Sequence, residues 1–324
     1  MKAEGGTLGS VKAEVGHAFI LSLADGTRLA LCPGDSDAAR VVGFLAHTAR
    51  LPAGPVPPPE GVRCLHVVVG DGAAGPASPG GDVREASGTS VYRLEPTDVK
   101  RLRGRARSAE GCPVGVYEPL TPQKWLWGQL VRLSAAIGRE TAPRGGVLLH
   151  GALAEWDPGD GQRGTGVLIG GRSGIGKTTA SLRLPPLWRS RADDVTLVVR
   201  DGSGVYWAHP WPTWSRLLGD DVRHPDGHWD VEHAVPLRAL FFLEQAPADR
   251  VEPIGPGQAV CRLAALADQV SRQMLLYHPI EEVAAFNLQR FENLCALAKA
   301  LPAFLLHVSL DGAFWRAMEQ VLHL

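Results

Sequence analysis

A nine-residue glycine-rich segment constrains this chain more than any other feature. Residues 171–179, Gly-Arg-Ser-Gly-Ile-Gly-Lys-Thr-Thr, match the pattern G-x-x-x-x-G-K-[ST] in full. An apolar run, Gly166–Ile169, precedes the segment, and a helix-compatible run, Thr178–Leu184, follows it. Because this strand–loop–helix order is the context that the pattern requires, the sequence predicts a phosphate-binding loop in preference to a glycine-rich turn with a chance lysine.

The predicted loop indicates ATP and Mg²⁺ as cofactors. Its glycines let successive backbone N–H groups point at phosphate oxygens, and the following helix adds the positive end of its dipole. Lys177 is expected to reach the β- and γ-phosphates, and the Thr178 hydroxyl to ligate Mg²⁺. The expected nucleotide-binding residues are Gly171, Arg172, Ser173, Gly174, Ile175, Gly176, Lys177, Thr178 and Thr179.

Length and composition favour a two-domain cytoplasmic protein. The chain has 324 residues, of which 45% are hydrophobic and 21% charged. The formal net charge of -1 gives no global field for nucleic acid or an acidic membrane, so neither is an expected partner. We find no secretion signal and no apolar run of the roughly 20 residues that a bilayer crossing needs. The five scattered cysteines indicate buried thiols.

Residues 1–120 are predicted to form a small α+β domain. A hairpin over residues 17–32 turns at Asp25-Gly26, a helix follows over 36–51, and a strand covers 64–69. The stretch 71–90 is rich in Gly, Ala, Pro and Ser, which predicts a mobile loop. The basic run Lys100–Arg107 is interpreted as a solvated face.

Residues 121–324 are predicted to form an α/β domain with a mixed sheet. A helix over 123–137 begins it, and a strand over 146–156 joins the strand before the phosphate loop as a β-hairpin. The acidic pair Asp193-Asp194 precedes the apolar run 195–199, whereas the usual acidic residue of P-loop enzymes ends an apolar strand. This reversed order argues against an ordinary NTPase motor or switch.

The second half of the chain resembles the HPr serine kinase/phosphorylase family, whose P-loop domain is related to phosphoenolpyruvate carboxykinase. The matching segments are His150-Gly151, Ser173–Lys177 and Ala192–Val195, with a weaker match over Phe304–Trp315. The resemblance implies that the second domain has the phosphoenolpyruvate carboxykinase-like fold. Divergent members look like kinase-like proteins encoded beside ribosomally made peptides and their tailoring enzymes, and this chain resembles those most.

The resemblance also implies roles for individual residues. Lys177 would act on the β/γ-phosphates, Asp194 would accept the proton of the substrate hydroxyl, Asp193 would support Asp194 or the metal together with Thr178, and His150 would orient the acidic pair. Independent chemistry agrees, because phosphoryl transfer needs a carboxylate near the attacking hydroxyl and adjacent carboxylates repel unless a cation joins them. The competing interpretation of the pair is an exposed acidic turn.

Two functional residues of the family cannot be matched to single residues of this chain. The segment Tyr206–Ser215 replaces the glycine-rich signature that carries the family's metal-binding glutamate. The candidates for the family's later arginine are Arg238, Arg250 and Arg262.

Two clusters of side chains allow more than one interpretation. A cluster of four tryptophans suits either a peptide groove or core packing; its members are Trp207, Trp211, Trp214 and Trp229. Four histidines give only a weak zinc signal: His209, His224, His228 and His233.

Two functions follow as hypotheses. The first is an ATP- and Mg²⁺-dependent kinase that phosphorylates a Ser or Thr hydroxyl of a peptide or small protein, with a ribosomally made precursor peptide as one candidate. The second is a non-catalytic nucleotide-binding subunit that positions a precursor peptide for other peptide-modifying enzymes. Sequence leaves homo-oligomerisation, the substrate and the choice of ATP over GTP or pyrophosphate open.

Overall fold

The computed structural model describes residues 17–69, 82–84, 89–94, 100–107, 113–159, 164–214, 227–275 and 280–324. It is a mixed α/β structure with mixed sheets. No helix within those ranges combines the length and the apolar character that a membrane crossing requires. Most of the predicted loop 71–90 lies outside the described residues, although strand residues 82–84 and 89–90 fall within it.

The N-terminal part builds a six-stranded sheet. Its strands are β1 (Ala18–Ser22), β2 (Arg28–Pro33), β3 (Ala53–Gly54), β4 (Arg63–Val69), β5 (Asp82–Arg84) and β6 (Thr89–Leu94), in the order β3-β1-β2-β4-β6-β5. The β1–β2 hairpin turns at Asp25-Gly26 as predicted, with Gly26 at φ +80°. Helix α1 (Ser36–Thr48) connects the parallel strands β2 and β4, and Asp35 caps it by accepting from the Ala38 N–H.

A separate two-stranded ribbon follows, formed by β7 (Lys100–Arg107) and β8 (Pro113–Pro119). Helix α2 (Pro122–Thr141) then begins where the sequence predicts, because the Thr121 hydroxyl accepts from the Lys124 N–H and a proline occupies the first turn. A single 3₁₀ turn, Ala142–Arg144, ends it.

The second sheet has nine strands, and the predicted phosphate loop follows one of them, β11. Its main path runs β12-β10-β11-β15-β14-β13-β9, and β17 pairs with β15 and β16. The strand bounds are β9 (Val147–Leu149), β10 (Gly151–Trp156), β11 (Thr165–Gly170), β12 (Trp188–Ala192), β13 (Val195–Arg200), β14 (Tyr206–Trp211), β15 (Val235–Gln245), β16 (Arg250–Ile254) and β17 (Ala303–Val308).

The hairpin before the loop is confirmed, but the prediction of one strand over 146–156 was wrong. β10 and β11 pair antiparallel from Gly151 opposite Gly170 to Trp156 opposite Thr165. The chain breaks at His150, so β9 pairs with β13 instead and only β10 joins the hairpin. The run of apolar residues hid this break because both strands are buried and no proline or turn dipeptide separates them.

Helices cover both faces of the second sheet. They are α3 (Lys177–Leu182), α4 (Pro256–Leu275), α5 (Ile280–Ala300) and α6 (Phe314–Leu322), together with α2. Adjacent strand residues point to opposite faces. Phe241 accordingly packs with α3 and α6, whereas Phe242 packs in the core of α2, α4 and α5. The core that contains Phe242 is continuous with the core between α1 and the N-terminal sheet.

Candidate functional site

The segment predicted to bind phosphate, which we continue to call the phosphate loop, occupies residues 171–176, between the end of β11 and the start of α3. Gly174 and Gly176 have φ of +77° and +108°, a left-handed region that side chains disfavour. Gly171 is needed for space, because a Cβ there would lie 2.8 Å from the Ile175 Cγ2 atom. Three glycines therefore fix the loop conformation. Gly174 and Gly176 allow a positive φ, and Gly171 leaves space for the Ile175 side chain.

Lys177 lies almost entirely inside this loop, with 5% of its surface exposed. Its Nζ donates to the carbonyl oxygens of Gly171 at 3.0 Å and Arg172 at 3.4 Å. Burial lowers the pKa of Lys177, and the charges of Asp194 and Asp193 act in the opposite direction. These hydrogen bonds hold the amine against the loop backbone. A bound phosphate would therefore have to compete with the two carbonyl oxygens for the amine.

Asp193 is the buried member of the acidic pair, with 2% exposed. The Thr178 hydroxyl donates to its Oδ2 at 2.8 Å, and the Thr213 hydroxyl donates to its Oδ1 at 2.9 Å. Two of the expected metal ligands, Thr178 and Asp193, are thus in direct contact. A carboxylate and a hydroxyl oxygen beside a phosphate loop are the hard donors that Mg²⁺ prefers, so this donor set fits that ion.

Asp194 points the other way and contacts His150. The His150 Nε2 and Asp194 Oδ1 atoms lie 2.8 Å apart, and the Asp194 side chain is 34% exposed against 11% for that of His150. His150 sits in the break between β9 and β10, where its backbone N–H donates to Leu266 of α4 at 3.2 Å. The break at His150 therefore brings the imidazole to the acidic pair.

Gln269 on α4 holds the other side of the imidazole. Its Oε1 contacts His150 Nδ1, and its Nε2 donates to the Ala265 carbonyl at 3.1 Å. Because an amide oxygen can only accept, the network assigns a hydrogen to Nδ1. Nε2 then lies against the Asp194 carboxylate. Sequence reasoning missed Gln269, since no motif connects it to His150.

A cavity of about 360 Å³ opens between α2, α4 and the loop, and we call it the aromatic pocket. The acidic pair's Asp194, together with His150 and the loop residue Ser173, reaches its wall. Its apolar lining consists of Trp127, Val131, Leu148, Val195, Trp211, Pro212, Trp214 and Val270, and its other polar lining of Ser134 and Gln269.

The tryptophan cluster divides between this pocket and the core. Trp211 and Trp214 line the pocket and are nevertheless buried. Trp229 is buried beside α1, where its backbone N–H donates to the Thr48 carbonyl at 2.8 Å. Trp207 donates its indole N–H to Asp201 at 2.8 Å. Trp211 and Trp214 thus border a cavity and Trp229 packs in the core, while the peptide groove stays a prediction.

A second cavity, of about 540 Å³, borders the loop at Gly171, Arg172 and Ile175 and shares Gln269 with the aromatic pocket. We call it the polar cleft. Glu244 and Arg262 line it together with Gly171 and Arg172, and their Oε1 and Nη2 atoms are 2.8 Å apart. Glu244 follows the apolar run Leu240–Leu243 of β15, which runs parallel to β11. An apolar run followed by an acidic residue thus lies directly beside the strand that precedes the loop.

The polar cleft separates the three arginine candidates. Arg262 faces the loop, whereas Arg250 pairs with Glu252 at 2.6 Å and Arg238 is exposed near the start of β15. A third cavity, of about 520 Å³, borders α3 and includes Thr179 and Arg183. The loop therefore lies among three cavities that differ in polarity.

The other histidines and cysteines of the described residues line none of the three cavities beside the loop. His209 is buried and accepts from the Ala24 N–H, and burial lowers its pKa. His224 lies outside the described residues. The described group whose donor atoms could share a metal is Cys32, Cys64 and His66.

The buried-thiol prediction holds for Cys32 and Cys64, whose sulphur atoms are 2.8 Å apart. Cys261 is exposed, so the prediction was wrong there, and Cys295 is half-buried. Cys112 lies outside the described residues.

Comparison with known proteins assigns a family but no activity. No curated protein matches the chain. A family model matches residues 115–323. This range contains the phosphate loop, the acidic pair and His150, as well as Arg262 and Gln269 of α4. The description of the family model names a gene cassette and no chemical reaction. Since the match covers more than half of the sequence, the chain belongs to the family of the SynChlorMet cassette protein ScmC.

Proposed function

We propose that this protein is an ATP- and Mg²⁺-dependent kinase of the HPr kinase-like type, which phosphorylates a Ser or Thr hydroxyl of a peptide or small protein. The observation that carries the proposal is that the two carboxylates of the acidic pair lie in different environments. Asp193 is buried against Thr178, whereas the neighbouring Asp194 is one-third exposed beside a cavity. A kinase needs one carboxylate for the metal and another for the acceptor hydroxyl.

The buried half of this site suits the nucleotide. The N–H groups of residues 171–176 and the amine of Lys177 offer positive charge to phosphate oxygens. Thr178 and Asp193 are in contact and would hold the metal. ATP would supply the phosphoryl group, and the Mg²⁺ bound with it would neutralise the charge that develops during transfer.

The exposed half suits the acceptor. Asp194 accepts the hydroxyl proton as the acceptor oxygen bonds to the γ-phosphorus, and ADP is the leaving group. His150 keeps Asp194 in one orientation through the 2.8 Å contact, and Gln269 fixes the imidazole in turn. The break between β9 and β10 is what allows His150 to reach across to the acidic pair.

The variant Asp194→Asn tests the proposal against the rival binding-subunit hypothesis. A proton acceptor acts mainly in the transition state, so ATP affinity should stay within a few-fold while phosphate transfer falls by roughly 10²- to 10⁴-fold. Thermal shift with ATP and Mg²⁺ measures the first quantity, and mass spectrometry of peptides encoded in the same cassette measures the second.

The control is Asp230→Asn, which changes an exposed carboxylate elsewhere on the surface. It should alter neither quantity. Loss of ATP binding in Asp194→Asn would make Asp194 a nucleotide residue, and unchanged transfer would remove it from the mechanism. Tight ATP binding by the wild type without transfer to any cassette peptide would favour the binding subunit.

A further inference from the structure

The aromatic pocket has a lining that is unusual for the acceptor side of a kinase site. Its walls are mostly apolar, with three tryptophans and four aliphatic side chains. It opens at Ser173 of the phosphate loop and contains Asp194, so it is continuous with the proposed site of transfer. A group held in this pocket would stand beside the carboxylate that accepts the hydroxyl proton.

Most polar groups of the wall are engaged, and the exception among the described buried atoms is the Trp211 indole N–H, which has no partner. Trp214 donates its indole N–H to the Ser134 hydroxyl at 2.9 Å, and that hydroxyl donates to the Leu130 carbonyl at 2.7 Å. Gln269 bonds to His150 and to Ala265. A polar occupant that gave up its hydration there would find few partners, which disfavours a sugar or another polyol.

The charges of the wall also restrict the occupant. Among the described residues that line the pocket, the titratable side chains are His150 and Asp194, and neither Lys nor Arg is present. His150 and Asp194 face each other across a 2.8 Å contact. An acceptor with a carboxylate or phosphate in the pocket would therefore lie against Asp194 without a cation of its own, and like charges repel.

We propose that the aromatic pocket binds a large apolar side chain, aromatic or branched aliphatic, that flanks the phosphorylated Ser or Thr of a peptide. The volume of about 360 Å³ is at the lower end of the range for ligand pockets, which suits one large side chain. The proposal rests on the proposed kinase function, since it is that function which places the acceptor hydroxyl at Asp194. It deepens that function by naming the sequence context of the hydroxyl.

Direct binding of short peptides tests this proposal without any phosphate transfer. The probes are capped hexapeptides in which a central Ser is preceded by Phe, Gly or Asp among glycines, with a second set in which these residues follow the Ser. Calorimetry measures their affinity for the full chain. Burial of a Phe side chain should give about 10- to 100-fold tighter binding than Gly in at least one set, and Asp should bind weakest.

Val131→Phe fills the pocket from α2, and Val205→Phe makes the same change at an exposed turn outside it. The first should abolish the preference for Phe over Gly, and the second should retain it. ATP-dependent thermal stabilisation should be equal in both variants and the wild type, which shows that Val131→Phe leaves the fold and the nucleotide side intact.

Equal affinity for the Phe and Gly peptides, tighter binding of the Asp peptides, or an unchanged preference in Val131→Phe would each overturn the proposal. Phosphorylation of a small apolar alcohol such as 2-phenylethanol, without measurable binding of any peptide, would also overturn it. A protein that prefers Phe peptides but shows no stabilisation by ATP would keep the pocket assignment and refute the kinase function. The two failures are therefore distinguishable.

Discussion

Thr178 donates its hydroxyl hydrogen to Asp193 over 2.8 Å, which joins the first turn of α3 to the segment that follows β12. The Thr213 hydroxyl occupies the second oxygen of the same carboxylate. Asp193 is therefore held at both oxygens before any metal is bound, and its orientation is set by the protein. A pre-oriented carboxylate loses little conformational entropy when it binds an ion.

Thr178→Val tests this metal site, because valine keeps the shape and removes the hydroxyl. ATP should still bind through the loop, but affinity in the presence of Mg²⁺ should fall roughly 10- to 100-fold, as expected for loss of a hydrogen bond to a charged group. Thermal shift with ATP, measured with and without Mg²⁺, separates the two contributions. Thr165→Val on β11 is the matched control. An undiminished Mg²⁺ effect in Thr178→Val would exclude Thr178 as a ligand.

Lys177→Met should abolish turnover with little change in circular dichroism. The amine bonds only to the carbonyls of Gly171 and Arg172 among the described hydrogen bonds, and methionine fills the same space. Loss of a cation that stabilises transition-state charge costs about 10²- to 10³-fold in rate. Wild-type ATP affinity and turnover in a folded variant would show that the loop does not bind phosphate.

Lys177 also gives a signed dependence of stability on pH. Burial lowers its pKa below the ordinary value of 10.5, so the folded protein releases this proton at a lower pH than the unfolded chain. Between those two values the unfolded state binds more protons, and the free energy of unfolding rises with pH. Urea unfolding in small pH steps should show this rise in the wild type and not in Lys177→Met. Identical pH dependence in both proteins would contradict the assignment.

Gln269→Glu tests the positioning role of Gln269. The added negative charge favours the protonated forms of His150 and Asp194, so the acidic limb of the pH–rate profile should move to higher pH. Gln258→Glu adds the same charge to an exposed position of α4 and should leave the profile in place. A lower rate at every pH, with an unshifted profile, would indicate that Gln269 only supports the fold.

The cysteines should differ in their reactivity towards iodoacetamide at neutral pH. Cys261 is exposed, whereas the hydrogen bond to Cys64 and burial raise the pKa of the Cys32 thiol. Since the thiolate is the reactive form, Cys261 should be labelled well before Cys32. Peptide mapping by mass spectrometry follows both sites over time. Faster labelling of Cys32 would show that the β2–β4 pair opens readily.

The sequence predicts those features that depend on neighbouring residues. The β1–β2 hairpin follows from Asp25-Gly26 and the start of α2 from Thr121 and Pro122, and both are confirmed. The contacts between Asp193 and Thr213 and between His150 and Gln269 depend on strand pairing and helix packing. No short-range pattern encodes such contacts, because their members are brought together only when the sheet forms.

Glu244 illustrates a sequence signal that chain order obscures. The first acidic residues after the loop helix are Asp193-Asp194, which precede their apolar strand. An apolar run followed by an acidic residue occurs in β15, which lies next to β11 in the sheet although three strands, β12, β13 and β14, separate the two in the chain. Chain order and spatial order differ here because β15 joins the sheet in parallel, beside the strand that carries the loop.

Helix α4 carries both Arg262 and Gln269, about two turns apart and therefore on one side of the helix. Arg262 lines the polar cleft, and Gln269 lines both the cleft and the aromatic pocket, so this one helix borders both cavities beside the loop. A displacement of α4 along its axis would act on both cavities simultaneously. In kinetic terms, substitutions that loosen the packing of Leu263 or Leu266 should change the KM for the nucleotide and the KM for the acceptor together.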